Sequence, residues 1–142
     1  MAGPGIPADQ RRDSMVYLLD IYPTLCQLIG LAPPPSVEGR SLVAALHDPG
    51  VRVRNSLYLA YAGYQRGICT DQHKLIRYHV DGNTTTQLFD RQADPWEVNN
   101  LAGRPETASI QAELAAQLLH LRDEWDDLAT TWGQAFWAVA PT

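Results

Sequence analysis

The chain is poor in the features that staple, anchor or strongly charge a protein. Only two of its 142 residues are cysteines, Cys26 and Cys69, too few for a disulfide framework. One falls in an apolar helix pattern and the other in a strand pattern, so both are expected as buried free thiols. No apolar run approaches the roughly 20 residues that a membrane-spanning helix needs. The opening Met1-Ala2-Gly3-Pro4-Gly5 has neither the basic nor the apolar segment of a secretory leader. The net charge is -5, and the 11 Lys and Arg are scattered apart from Arg11-Arg12 and Arg52/Arg54. Nucleic acid is therefore not an expected partner, since that binding needs a concentrated basic surface. The four histidines (His47, His73, His79, His120) show no ligand spacing, and no Ser/His/Asp arrangement is visible.

The rest reads as a globular chain with room for one core: 45% of residues are hydrophobic and 19% charged. Asp20 is placed to cap a helix with Pro23 in its first turn, where the missing N–H is tolerated. Ile21, Leu25, Leu28 and Ile29 follow at helical spacing, and Gly30 is a natural stop. Pro33-Pro34-Pro35 is a stiff linker, after which Ser41 can cap a short helix to about His47. Residues 56–62, 66–70, 74–80 and 87–89 read as short strands separated by turns, with Asp81-Gly82-Asn83 a strong hairpin signal. Links this short favour antiparallel pairing. In the third strand Ile76, Tyr78 and Val80 share one face and Leu75, Arg77 and His79 the other, so one packed and one mostly wet face are expected. Ile110, Leu114, Leu118, Leu121, Trp125 and Leu128 predict a helix over about 107–128, roughly 33 Å long. Trp132, Phe136 and Trp137 then make an aromatic tail, packed back on the domain or turned toward a neighbour. The fold class is α+β: a small antiparallel sheet of about four strands packed against a long C-terminal helix, preceded by helices that belong to the edge of a missing α/β domain.

Three phrases carry most information. They are Asp20-Ile21-Tyr22-Pro23-Thr24-Leu25, then Glu38-Gly39-Arg40-Ser41-Leu42, then Leu88-Phe89-Asp90 with Asp94-Pro95-Trp96-Glu97 and Asn99-Asn100-Leu101. Their physical content is capping and turning: acidic residues and Asn around Pro and Gly suit loops that satisfy their own backbone groups. Asp90, Asp94, Glu97 and Asn99 are also oxygen donors, but the EF-hand spacing with its Gly is absent. In this order the phrases resemble the C-terminal part of sulfatases, the sulfuric-ester hydrolases of the alkaline-phosphatase superfamily, from about Pro4 to about Asp127. Asp20, Pro23, Thr24, Gly39, Ser41, Asp90, Asp94, Pro95, Glu97, Asn100 and Leu101 stand at motif positions, with Glu38, Phe89 and Arg91 as departures. Pro4-Gly5-Ile6-Pro7-Ala8 is similar to the phrase that closes the family's catalytic domain. The resemblance thus assigns residues 1–50 to the edge of that domain and its linker, and 51–142 to the C-terminal subdomain.

The resemblance also says what to look for and not find. Sulfatases oxidise a Cys or Ser in Cys/Ser-x-Pro-x-Arg to formylglycine and hold a cation, usually calcium, with Asp pairs. Cys26 precedes Gln27-Leu28-Ile29-Gly30 and Cys69 precedes Thr70-Asp71-Gln72-His73, so neither fits, and no Ser does. Asp126-Asp127 is an adjacent acidic pair without a partner motif and reads as solvent-facing charge. No catalytic or metal residue is therefore expected in this chain; formylglycine and calcium are implied for the parent enzyme, and the missing catalytic domain is the implied partner. Because family C-terminal loops can shape the substrate pocket, Tyr64, Arg66 and His73 are the candidate substrate-reading residues. His73 and Cys69 depart from the residues usual at their places. Sulfatases are often periplasmic, secreted or lysosomal, which leaves the compartment open. The alternatives are a free-standing interaction module built on a sulfatase tail, and the tail of a phosphonate- or phosphate-ester hydrolase of the same superfamily.

Overall fold

The structure, a computed structural model, describes residues 3–139. Its contacts divide the chain into two compact units, Met1–Leu57 and Tyr58–Thr142.

The first unit is built around a polar centre. A 3-10 turn at Leu18–Asp20 runs into helix α1 (Ile21–Leu28), and Gly30, at φ 76°, turns the chain out of it. A second helix, α2 (Val43–His47), is followed by an irregular stretch. Asp20 and Thr24 are fully buried and Arg54 nearly so. Asp20 stands at the N-cap position, yet its carboxylate makes no side-chain cap bond to α1; the expected cap is replaced by longer-range bonds described below. Ser41 Oγ accepts the Val43 N–H at 3.3 Å, next to the predicted start of α2.

The second unit is a four-stranded sheet in the order β1-β2-β3-β4, from β1 (Ser56–Tyr61), β2 (Gln65–Thr70), β3 (His73–Val80) and β4 (Asn83–Asp90). β2–β3 and β3–β4 pair antiparallel. Asp81 (φ 51°) and Gly82 (φ 77°) form the two-residue β3–β4 turn, with Val80 opposite Asn83. Two successive positive φ values match the right-handed twist of the flanking strands. That turn also lengthens β4 beyond the expected 87–89, because Thr84–Thr86 extend the ladder at its polar end.

Helix α3 (Ala108–Glu124) lays Leu114, Leu118 and Leu121 on Tyr58, Ile68, Leu75 and Leu88, with Ile110 and Trp125 at the margin. Each such Leu contributes about 1.5–3 kcal/mol of burial. The register sets Ile68, Leu75 and Leu88 opposite one another, so they share a face. On the opposite face Cys69, Ile76 and Phe89 are buried too. The expectation of one mostly wet face therefore fails at the sheet's centre: apolar residues occupy successive positions there, and both faces are covered.

The predicted helix to about Leu128 is also too long. Asp126 adopts φ 50°, a left-handed conformation that an α-helix cannot continue. The chain then makes a 3-10 turn, Asp127–Ala129, and a short helix α4 (Thr131–Trp137), capped by Thr130 Oγ1 accepting the Gly133 N–H. Leu128, assigned by periodicity to the core stripe, is 43% exposed. Phe136 is fully buried, so the aromatic tail packs back at that residue.

Candidate functional site

The chemistry-bearing residues fall into three places, one in the first unit and two in the second. In the first, the Asp20 carboxylate accepts from Nη1 and Nη2 of Arg54, together with the Tyr17 N–H at 2.7 Å and the Arg40 N–H at 2.8 Å. Burial alone raises the Asp20 pKa, but the Arg54 hydrogen bonds and the two backbone donors outweigh it, and the carboxyl lies below its ordinary range. Thr24 Oγ1 ties the same knot, donating to the Asp20 carbonyl and accepting the Leu42 N–H at 2.9 Å. Pro23 is buried beside it in the first turn of α1. A Cβ on Gly39 would stand 2.2 Å from the Leu19 carbonyl oxygen, so only glycine allows this approach.

In the second unit, Asp127 plays the corresponding part with different partners. Arg66 donates from Nε to one carboxylate oxygen at 2.6 Å and from Nη2 to the other at 3.1 Å. Tyr58 Oη and Trp137 Nε1 each donate to the first oxygen at 2.8 Å. Burial raises the Asp127 pKa, but the bonds from Arg66, Tyr58 and Trp137 prevail and lower it. Burial, then the same bond, push the Tyr58 hydroxyl up. The Asp126-Asp127 pair expected in solvent is thus divided, with Asp127 inside. Arg66 is only 1% exposed, and its remaining Nη1 donor serves the Ala62 and Gln65 carbonyls at 2.6 and 2.7 Å. Its guanidinium also lies over the Phe136 ring at 5.2 Å. A guanidinium so engaged has no open face toward a substrate, and Arg66 is a packing residue of this subdomain.

The other two candidate substrate residues do not meet. Tyr64 is half exposed beside the β1–β2 turn, where its carbonyl accepts the His79 N–H. His73 lies at the opposite end of β3, paired with Asp90. Six residues of strand separate His79 from His73, about 20 Å. His73 Nε2 stands 4.0 Å from Asp90 Oδ2, and the His73 backbone exchanges hydrogen bonds with the Thr70 hydroxyl. One small substrate cannot touch both Tyr64 and His73 within this unit.

The acidic loop after β4 satisfies its own backbone. Asp90 Oδ1 accepts the Ala93 and Gln92 N–H groups, which hold its carboxyl below the ordinary range. Asp94, next to Pro95, accepts the Asn99 N–H at 2.8 Å. Asn100 Oδ1 accepts from Leu88 and Ala102 while its amide donates to Thr86, which docks the loop on β4; the Leu101 N–H adds a bond to the Leu88 carbonyl. Glu97, at φ 54°, pairs with Lys74, and Arg91 lies 3.6 Å away. Its oxygens are turned toward separate partners. Among the described residues no three His, Cys, Asp or Glu side chains gather as a cation would require.

Cys26 and Cys69 are both free and buried, as expected, and burial raises the Cys69 thiol above its usual range. Neither thiol stands in the Cys-x-Pro-x-Arg context that formylglycine requires. Neither formylglycine nor calcium fits the described residues. No helix among the described residues is long and apolar enough to cross a membrane.

Residues 2–124 match the family model described as N-sulphoglucosamine sulphohydrolase, C-terminal. The chain belongs to the sulfatase family. Arylsulfatase K of Bos taurus is 33% identical over 134 residues, covering 79% of this chain and 23% of the relative. N-acetylglucosamine-6-O-sulfatase of Bacteroides thetaiotaomicron is 30% identical over 133 residues, covering 86% and 24%. The structure of a 2-O GAG sulfatase superposes with a TM-score of 0.71 at 29% identity, over 89% of this chain and 29% of that one. Phosphonate monoester hydrolase of Agrobacterium radiobacter, at 24% identity and a TM-score of 0.59 over 74% of this chain and 24% of that one, shares the fold. The chain therefore corresponds to the C-terminal part of these sulfatases and spans about a quarter of their length.

Proposed function

We propose that this chain is the non-catalytic end of a sulfuric-ester hydrolase, inactive by itself, whose catalytic domain with its formylglycine and calcium is a separate part of the parent. The observation that carries this reading is a surface. Leu18, Ile21, Leu25 and Ile29 recur at helical spacing along the 3-10 turn and α1, and all four are exposed, Leu18 at 87%. Val16, Tyr22 and Leu31, nearby in sequence, are exposed as well. An aliphatic row of this kind is what a soluble surface rarely leaves uncovered, and it suits the bulk of the enzyme that the relatives possess. The buried nodes at Asp20 and Asp127 give this part its shape without supplying a nucleophile.

The test is hydrolysis of an aryl sulfate by the purified chain, with and without calcium, beside the parent reading frame bearing a Cys/Ser-x-Pro-x-Arg sequence. The parent is expected to turn over and the chain not. A second reading, a free-standing module that has kept a sulfatase tail, draws on the self-packed Phe136, which shows part of the aromatic tail satisfied within its own unit. A reading frame without the nucleophile sequence would favour it. A phosphonate-ester parent is separated from a sulfatase by comparing both esters as substrates.

A further inference from the structure

The sheet face under α3 is apolar at its centre and cationic beside it. Directly opposite residues share a face, so Arg66, Arg77 and Thr86 stand side by side across β2, β3 and β4, next to the row of Ile68, Leu75 and Leu88. Asp127 claims Arg66. Arg77, half-buried, lines a cavity of about 460 Å³ between β3 and the start of α3. The loop after β4 brings a second guanidinium to the same cavity. Asn100 docks that loop by donating to the Thr86 carbonyl at 3.2 Å, and Arg104 Nη2 donates to the Asn100 carbonyl at 3.0 Å. Among the described residues Arg104 has no ion-pair partner. Gly103, at φ 76°, faces open space, and its N–H donates to Gln111 Oε1 at 3.0 Å, which leaves the Gln111 NH2 group as a further donor. Ala108, Ala112 and Ala115 line the cavity from α3, and at spacings of four and three they share one helix face. No carboxylate is among its lining residues, in a chain whose net charge is -5.

We propose that this cavity binds a small organic monocarboxylate, its carboxylate held by Arg77 and Arg104 and its apolar body along the α3 alanines. Guanidinium forks match a carboxylate in plane and in donor spacing. The volume calls for a body: pockets of about 300–1,000 Å³ take whole small molecules, whereas an inorganic anion would leave most of this one empty. The donors call for a single charge. Arg104 has spent one nitrogen on Asn100, and Gln111 brings a dipole only; a phosphate monoester dianion needs more than that. Among singly charged groups, carboxylate oxygens are more basic than those of a sulfate ester and accept stronger bonds from a guanidinium. Burial lowers the Arg77 pKa, and a strong bond to an anion offsets that loss of solvation. The site is built from β3, the loop and α3 alone and does not rest on what the parent hydrolyses.

The experiment is a proton–nitrogen NMR titration of the 142-residue chain with benzoate, phenyl sulfate, benzyl alcohol and sodium chloride. Benzoate is expected to shift the Gly103 and Ala112 amides and the Gln111 side-chain signals, with a Kd of about 1 mM, in keeping with so small a ligand. Phenyl sulfate is expected to bind more weakly, and benzyl alcohol and chloride to leave those signals in place. Arg77→Met should weaken benzoate about tenfold or more. The Trp137 indole signal, held by Asp127, reports that the fold is intact. If Arg77→Met disturbs it, Ala112→Leu carries the test: the residue is exposed on α3, and the larger side chain fills the cavity without altering charge, so benzoate should again bind about tenfold more weakly. No shift with benzoate, undiminished affinity in variants with an unchanged Trp137 signal, or equal shifts from benzyl alcohol or chloride would each overturn the site. Phenyl sulfate bound as tightly as benzoate would overturn the choice of a carboxylate.

Discussion

Asp20 and Asp127 are both buried carboxylates held by a two-pronged arginine, and beside each a glycine is pressed against main chain. They differ in what completes the shell. Asp20 takes its other bonds from backbone N–H groups, of Tyr17 and Arg40, and all its partners lie within 34 residues. Asp127 takes them from side chains, Tyr58 and Trp137, and its farthest partner is 69 residues away. A backbone donor is supplied by any residue except proline, so the first node tolerates change around it provided that the Asp, the Arg and the Gly stay. The second needs a particular hydroxyl and a particular indole, and it spans the strand β1, the strand β2 and the helix α4. One node fixes a local knot; the other fixes a tertiary arrangement.

The strongest way to break the comparison is to remove each carboxylate. Asp127→Ala leaves Arg66 buried without its counter-ion and is expected to cost about 4 kcal/mol by urea unfolding; Asp20→Ala, whose Arg54 is less enclosed, about 3 kcal/mol. Equal small losses would show the nodes to be ornamental. Acid should reproduce both changes. Each carboxyl has a folded pKa below its unfolded value, so the stability it confers is fully present above about pH 4 and is lost as pH falls through the folded pKa. Replacing either Asp by Asn should flatten that acid limb in an unfolding series. A limb unchanged in both variants would contradict the lowered pKa values.

Next in size are the glycines. Gly133→Ala and Gly39→Ala each force a Cβ against a carbonyl oxygen and should cost about 2–3 kcal/mol, read from thermal unfolding. A loss under about 0.5 kcal/mol would mean that the backbone moves aside easily. The smallest effects sharpen the contrast in shells. Trp137→Phe removes an indole donor from Asp127 and should cost about 1–2 kcal/mol. Arg40→Ala keeps the backbone N–H that Asp20 uses, so it should change stability by no more than about 0.5 kcal/mol. Reversal of that order would remove the distinction between the nodes.

What the sequence reveals follows the same division. The Asp20 knot is legible as a phrase, because its Asp, Thr and Gly lie close together and turning residues have a recognisable chemistry, although the cap assigned to Asp20 turns out to be an ion pair with Arg54. The acidic loop and the Asp81-Gly82 turn are legible for that same local reason. The Asp127 node is not. Its partners are 10, 61 and 69 residues away, and nothing in a run of charged residues at a helix end says which carboxylate turns inward. Leu128 continues the helical period, so the break at Asp126 is hidden as well. Arg66 shows the consequence: read locally it is a polar residue at the start of a strand, and only the distant Asp127 makes it interior. A short signal was available in Tyr58, an aromatic with a hydroxyl amid apolar strand residues, since a buried hydroxyl requires a partner.

At the centre stands the proposal that this chain carries the sulfatase C-terminal fold without its chemistry. The decisive measurement is aryl-sulfate hydrolysis by the purified 142-residue chain, with and without added calcium, after its fold has been verified by cooperative unfolding. No turnover above the buffer rate is expected in either condition. Turnover that persists through further purification, in step with the amount of folded chain, would contradict it.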